Sequence, residues 1–333
     1  MKQKLLNRRE LFLLGIVLIY SIIVTFINPN FLSLQTVFST LNSSADTIIV
    51  ALGVLIVLIT GDIDISFPAT ALFGSYVTTK IMIAQGIDNL LFAFALSIFF
   101  GIILGLFNGF VVHYLKLPAL IITLGTQYFF HGIMTTFIGS ETYGAGVMPS
   151  AITEFSSKQL FTIDIQFGTT GLSYFMVPVA IAILLTWFIL YKTKLGRGIF
   201  ALGNSEEAAR RVGFNPLLIK LFVYGFLGAL AGTMGIVYIA DVNAVYPNAL
   251  IGTELMVIAA VVLGGAKFAG GRGTIIGVLL GVFIINLLNN TLIFIGLSSS
   301  WNNLFVGSLI VISVVITSYQ ERVENRKNLV FNE

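Results

Sequence analysis

Residues 192–220 read KTKLGRGIFALGNSEEAARRVGFNPLLIK, a polar stretch set between two long apolar blocks. Within it, Asn204 or Ser205 is placed to cap a short helix whose first turn carries Glu206 and Glu207 and whose later turn carries Arg210 and Arg211. That order suits the helix dipole, with carboxylates at the amino end and guanidinium groups toward the carboxyl end. Gly213 supplies a stop, and Pro216 opposes continuation. A helix this short and this polar does not bury itself and needs a partner surface. With membrane-like sequence on both sides, the stretch reads as the place where a membrane part meets something soluble.

Outward from that loop, composition sets the class. The chain is 57% hydrophobic and 10% charged with a mean hydropathy of +0.97, whereas a soluble domain carries roughly 25% charged residues. The expected fold is all-α, a polytopic transmembrane helical bundle forming one domain over residues 1–333. At about 20 residues per span there is room for roughly eight to eleven spans and for no large soluble domain. The absence of cysteine excludes disulfides and thiolate chemistry. A net charge of +3 suggests nucleic acid only until the positions of the charges are seen: they lie in short loops.

The spans follow in order. A basic start, MKQKLLNRRE, leads into an apolar run over residues 11–28. A secretory signal is the alternative reading, but no small-residue cleavage site follows, so a retained helix is expected. FLSLQTVFSTLNSSAD, residues 31–46, either lies in the interface or enters the bilayer partway. Further spans are expected over about 47–60, 69–84, 90–112, 117–138, 172–191, 221–240, 255–263, 275–295 and 304–318, about ten in all. The seventh is rich in small residues at Gly225, Gly228, Ala231, Gly232 and Gly235, which let helices approach closely in lipid. With a cytoplasmic amino terminus, every one of the 18 Lys and Arg except Lys80 and Lys158 falls on the cytoplasmic side, as the positive-inside rule requires. The loop over about 192–220 and both termini are then cytoplasmic, and the polar region over about 139–171 faces the other side.

Polar groups within the apolar part are the candidates for a substrate path. GDIDIS, residues 61–66, places Asp62, Asp64 and Ser66 between Gly61 and Pro68. Carboxylates near hydrocarbon are costly and usually face a cavity, a partner or an ion path. Either the segment is a helix broken inside the membrane, presenting backbone groups to a ligand, or it is a surface loop whose aspartates cap the next helix. Asn286, Asn289 and Asn290 fall about one turn apart. Asn108 and the group Thr123, Thr126 and Gln127 add polar edges at helical spacing, either as hydrogen bonds between helices or as a path that recognises hydroxyls. GGAKFAGGRGT, residues 264–274, lacks the terminal Gly-Lys-Ser/Thr of a phosphate loop and follows a membrane run, so it reads as a tight cytoplasmic turn. His113 and His131 have no neighbouring carboxylate or cysteine, which leaves no metal site and no catalytic constellation.

At these residues the chain resembles a family. GNSEEAARRVGFNPLLIK is similar to the cytoplasmic loop of binding-protein-dependent ABC transporter permeases, in which an E-A-A sequence is followed by three residues and a glycine; Glu207, Ala208, Ala209 and Gly213 fill those places. GDIDIS resembles the G-G-I-D-L-S segment of the ribose-type permeases, with Asp62 in place of the second glycine and Phe67 after the serine as departures. Residues 253–290 and ITLGT at 122–126 are also typical of that subfamily. The resemblance implies an inner-membrane permease subunit for a simple sugar or similar small polyhydroxylated solute, with rhamnose, xylose, a nucleoside or autoinducer-2 among the alternatives. It implies two ATPase subunits that carry ATP and Mg, a periplasmic or lipid-anchored binding protein, and a second copy or a homologous permease chain. This chain itself would bind no cofactor and have no catalytic site. On that resemblance the residues that meet the ATPase are Ser205, Glu206, Glu207, Ala208, Ala209, Arg210, Arg211 and Gly213. The rival is an ion-coupled secondary transporter using Asp62 and Asp64.

Overall fold

The structure is a computed structural model that describes residues 8–165 and 168–292 together with residues 298, 301, 304, 305, 307, 308, 311 and 315. Most of the tenth expected span and the basic tail after it lie outside the described residues.

Helices form where apolar runs are bounded by capping residues. α1 (Arg8–Ile27) precedes α2 (Leu34–Ser43), whose N-cap Ser33 accepts a hydrogen bond from the Thr36 amide, and a bend of 50° leads into α3 (Ala45–Ile59). After a break come α4 (Phe67–Gln85), closed by left-handed Gly86, and α5 (Leu90–Leu115), capped by Asn89. α6 (Ala119–Ile133) runs into a π-helical turn over Met134–Ile138. α7 (Ser150–Ser157) precedes α8 (Met176–Lys192), which meets α9 (Lys194–Asn204) at 75°. The short α10 (Glu206–Arg211), α11 (Pro216–Val242), α12 (Glu254–Leu263) and α13 (Ile275–Thr291) complete the helices.

α3 is the centre. Every one of its residues except Asp46 is buried, which is what an apolar run without a polar face predicts for a helix surrounded on all sides. Beside it α5 lies against α11 almost backbone to backbone. Ser97, Gly101, Gly105 and Gly109 recur every fourth position on α5; a Cβ at Gly101 would meet the Gly228 carbonyl oxygen at 2.1 Å, and Ser97 Oγ donates to the Gly232 carbonyl at 2.8 Å. Small residues at one face permit that approach without water to drive it. The opposite face of α5 exposes Phe99, Ile103, Phe107 and Phe110, as a lipid-facing surface would.

Among the described residues two helices, α5 and α11, are each long and apolar enough to cross a membrane, and four such units arise if the bent pairs α2–α3 and α8–α9 each count as one. The polar region over 139–171, expected as a loop in an all-α fold, holds α7 and a short antiparallel hairpin of strands. β1 (Tyr143–Gly144) pairs with β4 (Ala244–Val245), and β2 (Gln159–Ile165) pairs with β3 (Gly168–Ser173). The alternation Phe161, Thr162, Ile163, Asp164, Ile165 is a strand period, not a helical one.

Contacts gather the connections into two ends. At one end Asp88 reaches Ser150 and Ala151, Asn42 reaches Gly171 and Ser173, and Lys80 Nζ donates to the Ile138 carbonyl. At the other end the 61–66 break, the 192–220 loop and the 264–274 turn meet.

Candidate functional site

Ser205 is the N-cap of α10: its Oγ accepts from the Ala208 amide at 3.2 Å. Asn204 instead ends α9, donating from Nδ2 to the Phe200 carbonyl at 2.7 Å. Arg210 pairs with Glu206 at 3.0 Å, and Arg211 pairs with Glu207, both one turn apart. These exposed pairs tune the short helix and add little stability by themselves. Ala208 faces outward, whereas Ala209 is buried against its own chain, its carbonyl accepting from the Phe214 amide at 3.0 Å. Of the two alanines expected to allow a partner close, Ala208 is therefore the one presented. Gly213 follows with φ +89°, the left-handed stop expected of it.

α9 was not legible as a helix, because Gly196, Gly198 and Gly203 interrupt KLGRGIFALGN. Gly196 and Gly203 are where other backbone passes, and Gly198 lies against the Phe214 and Ile219 side chains. A Cβ on Gly203 would lie 1.7 Å from the Ile59 carbonyl oxygen at the end of α3, and a Cβ on Gly270 would lie 2.7 Å from the Gly203 carbonyl oxygen and 2.9 Å from Gly61 Cα. Gly271 N donates to that same Ile59 carbonyl at 2.8 Å. Three loops far apart in sequence thus close on one another with no side chain between them. The 264–274 turn is part of this junction, consistent with its reading as a tight turn.

The GDIDIS segment breaks the α3–α4 pair inside the protein. Asp64 and Ser66 are 3% and 1% exposed, enclosed by the protein itself. Asp64 Oδ1 accepts from both the amide and the hydroxyl of Ser66 at 2.6 Å, Asn108 Nδ2 donates to Ser66 Oγ at 2.6 Å, and Thr123 Oγ1 accepts from the Ile65 amide at 3.3 Å. Four expected path residues from three elements are thereby brought together. They hold the break closed, and buried polar groups need such partners. Asp62 takes a different direction, its Oδ2 lying 3.0 Å from Lys220 Nζ on α11.

The other expected path residues fall elsewhere. Gln127 is buried on α6, and its Oε1, like Asn108 Oδ1, has no partner among the described residues. Asn286, Asn289 and Asn290 lie on α13: Asn290 donates to Ser43 Oγ at 2.8 Å, while Asn286 Nδ2 and Asn289 Oδ1 are buried without partners among the described residues. The expected path residues therefore fall in two groups. Sequence reasoning missed Lys220 as part of the site; the signal was a lone lysine one turn inside an apolar helix. It also lines a cavity of about 430 Å³ with His113, Lys116, Glu206, Glu207 and Arg210, between the end of α5 and α10. His131 Nε2 sits 3.1 Å from the Pro247 carbonyl, and among the described residues no group of three metal-ligating side chains occurs.

Outside the spans, Asp88 has its carboxyl held below the ordinary carboxylate range by the Ser150 hydroxyl and then the Ala151 amide.

A family model described as branched-chain amino acid transport system / permease component matches residues 36–314. The chain is 32% identical over 300 residues to the ribose import permease protein RbsC of Escherichia coli (strain K12), with 90% of each chain covered. It is 28% identical over 323 residues to the autoinducer 2 import system permease protein LsrC of Salmonella typhi, covering 97% of this chain and 89% of that one. No solved structure matches it. The match takes in the broken helix, the capped α10 and the glycine junction that joins them, and on it this chain belongs to the permease family of ABC import systems, as a membrane transport subunit and not an enzyme.

Proposed function

We propose that this chain forms the translocation path of a bacterial ABC importer for a simple sugar or a similarly small polyhydroxylated solute. A second copy or a homologous permease chain completes the path, two ATPase subunits carrying ATP and Mg drive it, and an extracytoplasmic solute-binding protein delivers cargo. The observation that carries the reading is α10: a capped, charged helix of six residues exposed at one end of an apolar bundle and joined through α9 to the end of its central helix. On this reading about ten spans cross the inner membrane, both termini are cytoplasmic, and the 139–171 region faces the binding protein. The ATPase contact comprises Ser205, Glu206, Glu207, Ala208, Arg210, Arg211 and Gly213, with Ala209 behind it.

For the path, Asn286 Nδ2, Asn289 Oδ1, Asn108 Oδ1 and Gln127 Oε1, each buried and without a hydrogen-bond partner among the described residues, have capacity left for a solute hydroxyl. Asp64, Ser66 and Thr123 support the break beside them. Because Asp62 is paired with Lys220 and Asp64 with Ser66, neither carboxylate is left open as an ion-coupling group, which favours ATP-driven transport over the secondary-transporter reading. The two relatives name ribose and autoinducer-2, and these are the first solutes to test. In proteoliposomes holding the whole transporter, uptake that needs ATP and the loaded binding protein is the expected result; uptake without ATP would overturn the reading.

A further inference from the structure

α10 is fastened at both ends to the same place. On its amino side, α9 carries Gly203 one residue before its end, close against the Ile59 carbonyl where α3 stops. On its carboxyl side, the chain passes Gly213 and enters α11, where Lys220 Nζ lies 3.0 Å from Asp62 Oδ2 and donates to Oδ1 at 3.3 Å. The two side chains are only 13% and 14% exposed. One turn along α11 the buried Tyr224 faces the same carboxylate. Both flanks of α10 therefore hold the segment between Ile59 and Phe67. From that segment the hydrogen bonds of Ser66 and Ile65 run on to Asn108 of α5 and Thr123 of α6.

We propose that Asp62 and Lys220 form a positioning pair that makes the broken helix and the α10 segment move as one body, so that displacement of α10 is delivered to α5 and α6. This rests on the importer reading. A glycine at position 62, as the ribose-type segment has, would leave the lysine without its counter-charge. An ion pair this enclosed is costly to break from one side only, because the remaining charge loses its partner in a place that water reaches poorly. The glycine junction fixes one flank of α10 through backbone contact, and the ion pair fixes the other. Without the pair, α10 can tilt about the junction and leave the break where it was.

The test uses the whole transporter in lipid nanodiscs and proteoliposomes, with ribose and autoinducer-2 as cargo. Lys220→Met and Asp62→Asn are expected to retain ATP hydrolysis while solute moved per ATP falls on the order of tenfold. The chain has no cysteine, so Asp62→Cys with Lys220→Cys gives a clean pair for a reducible bifunctional methanethiosulfonate reagent. Bridging that pair is expected to restore solute moved per ATP, and reductant to remove the gain again in the same protein. Because this comparison is made within one assembled sample, it decides the matter even where the single variants assemble poorly. Wild-type coupling in the single variants, or a bridge that arrests transport, would overturn the proposal. A wild-type transporter that shows no ATP-driven uptake fails the importer reading itself, and the proposal with it.

Discussion

At one end of the bundle Gly203, Gly61 and Gly270 bring three backbone segments together with no side chain between them; at the other, Asn42, Lys80 and Asp88 reach across with polar side chains to hold loops and a hairpin. The difference is one of tolerance. Backbone contact leaves no room for a Cβ at Gly203 or Gly270, so the first end resists substitution there and transmits displacement directly. Side-chain bridges stretch, rotate and exchange with water, so the second end bends without disturbing the bundle. A rigid end suits the place where an ATP-driven partner would push, and a compliant end suits a surface that receives and releases a soluble protein.

The largest effects should come from filling the glycine contacts. Gly203→Ala puts a methyl carbon 1.7 Å from a carbonyl oxygen, and the resulting strain is expected to cost about 3 kcal/mol, read as a drop in the unfolding midpoint in detergent. Gly101→Ala, 2.1 Å from the Gly228 oxygen, should cost a similar amount by separating α5 from α11. Gly144→Ala at the opposite end, with nothing within 4 Å, serves as the control and should leave the midpoint unchanged. Equal effects at Gly203 and Gly144 would break the comparison.

Of intermediate size is Asn42→Ala, which removes the bonds to the Gly171 carbonyl and the Ser173 amide, each 3.0 Å long. A loss of about 1–2 kcal/mol is expected. It should appear as faster amide exchange in β3 with the bundle unaffected.

The smallest effect is Asp88. Its folded carboxyl titrates below its unfolded value, so its contribution is present above the unfolded value and is lost as pH falls through the folded one. Protection of the Ala151 amide, taken relative to its intrinsic exchange rate at each pH, should therefore fall on acidification below the ordinary carboxylate range. Asp88→Asn should weaken that acid dependence while leaving the unfolding midpoint near neutral pH close to wild type, since the group is exposed.

Much of this was legible in the sequence because its causes are local. Ser205, the Glu206–Arg211 charge order and Gly213 specify α10 within a single turn and a half. The uninterrupted apolar run at 47–59 specifies a central helix, and the break at Gly61 follows from glycine and proline around two aspartates. What was not legible depends on contacts between distant segments. α9 is hidden by its glycines, of which Gly203 lets Ile59 and Gly271 pass, and the Gly101–Gly228 contact needs two helices to be seen at once. The α13 asparagines and the Ser66 network share helical spacing but not a face, because register along one helix says nothing about which neighbour it turns toward. Lys220 read as a loop charge until its pairing with Asp62 placed it in the site.

The central claim is that α10 delivers ATP-driven motion to this bundle through an exposed face centred on Ala208. The most direct measurement places Ala208→Asp in the complete transporter and compares ATP hydrolysis with uptake of ribose and of autoinducer-2. The account predicts normal membrane insertion, continued hydrolysis and lost uptake, because a carboxylate at that exposed position opposes close approach of the partner. Wild-type ATP-driven uptake by Ala208→Asp would contradict it.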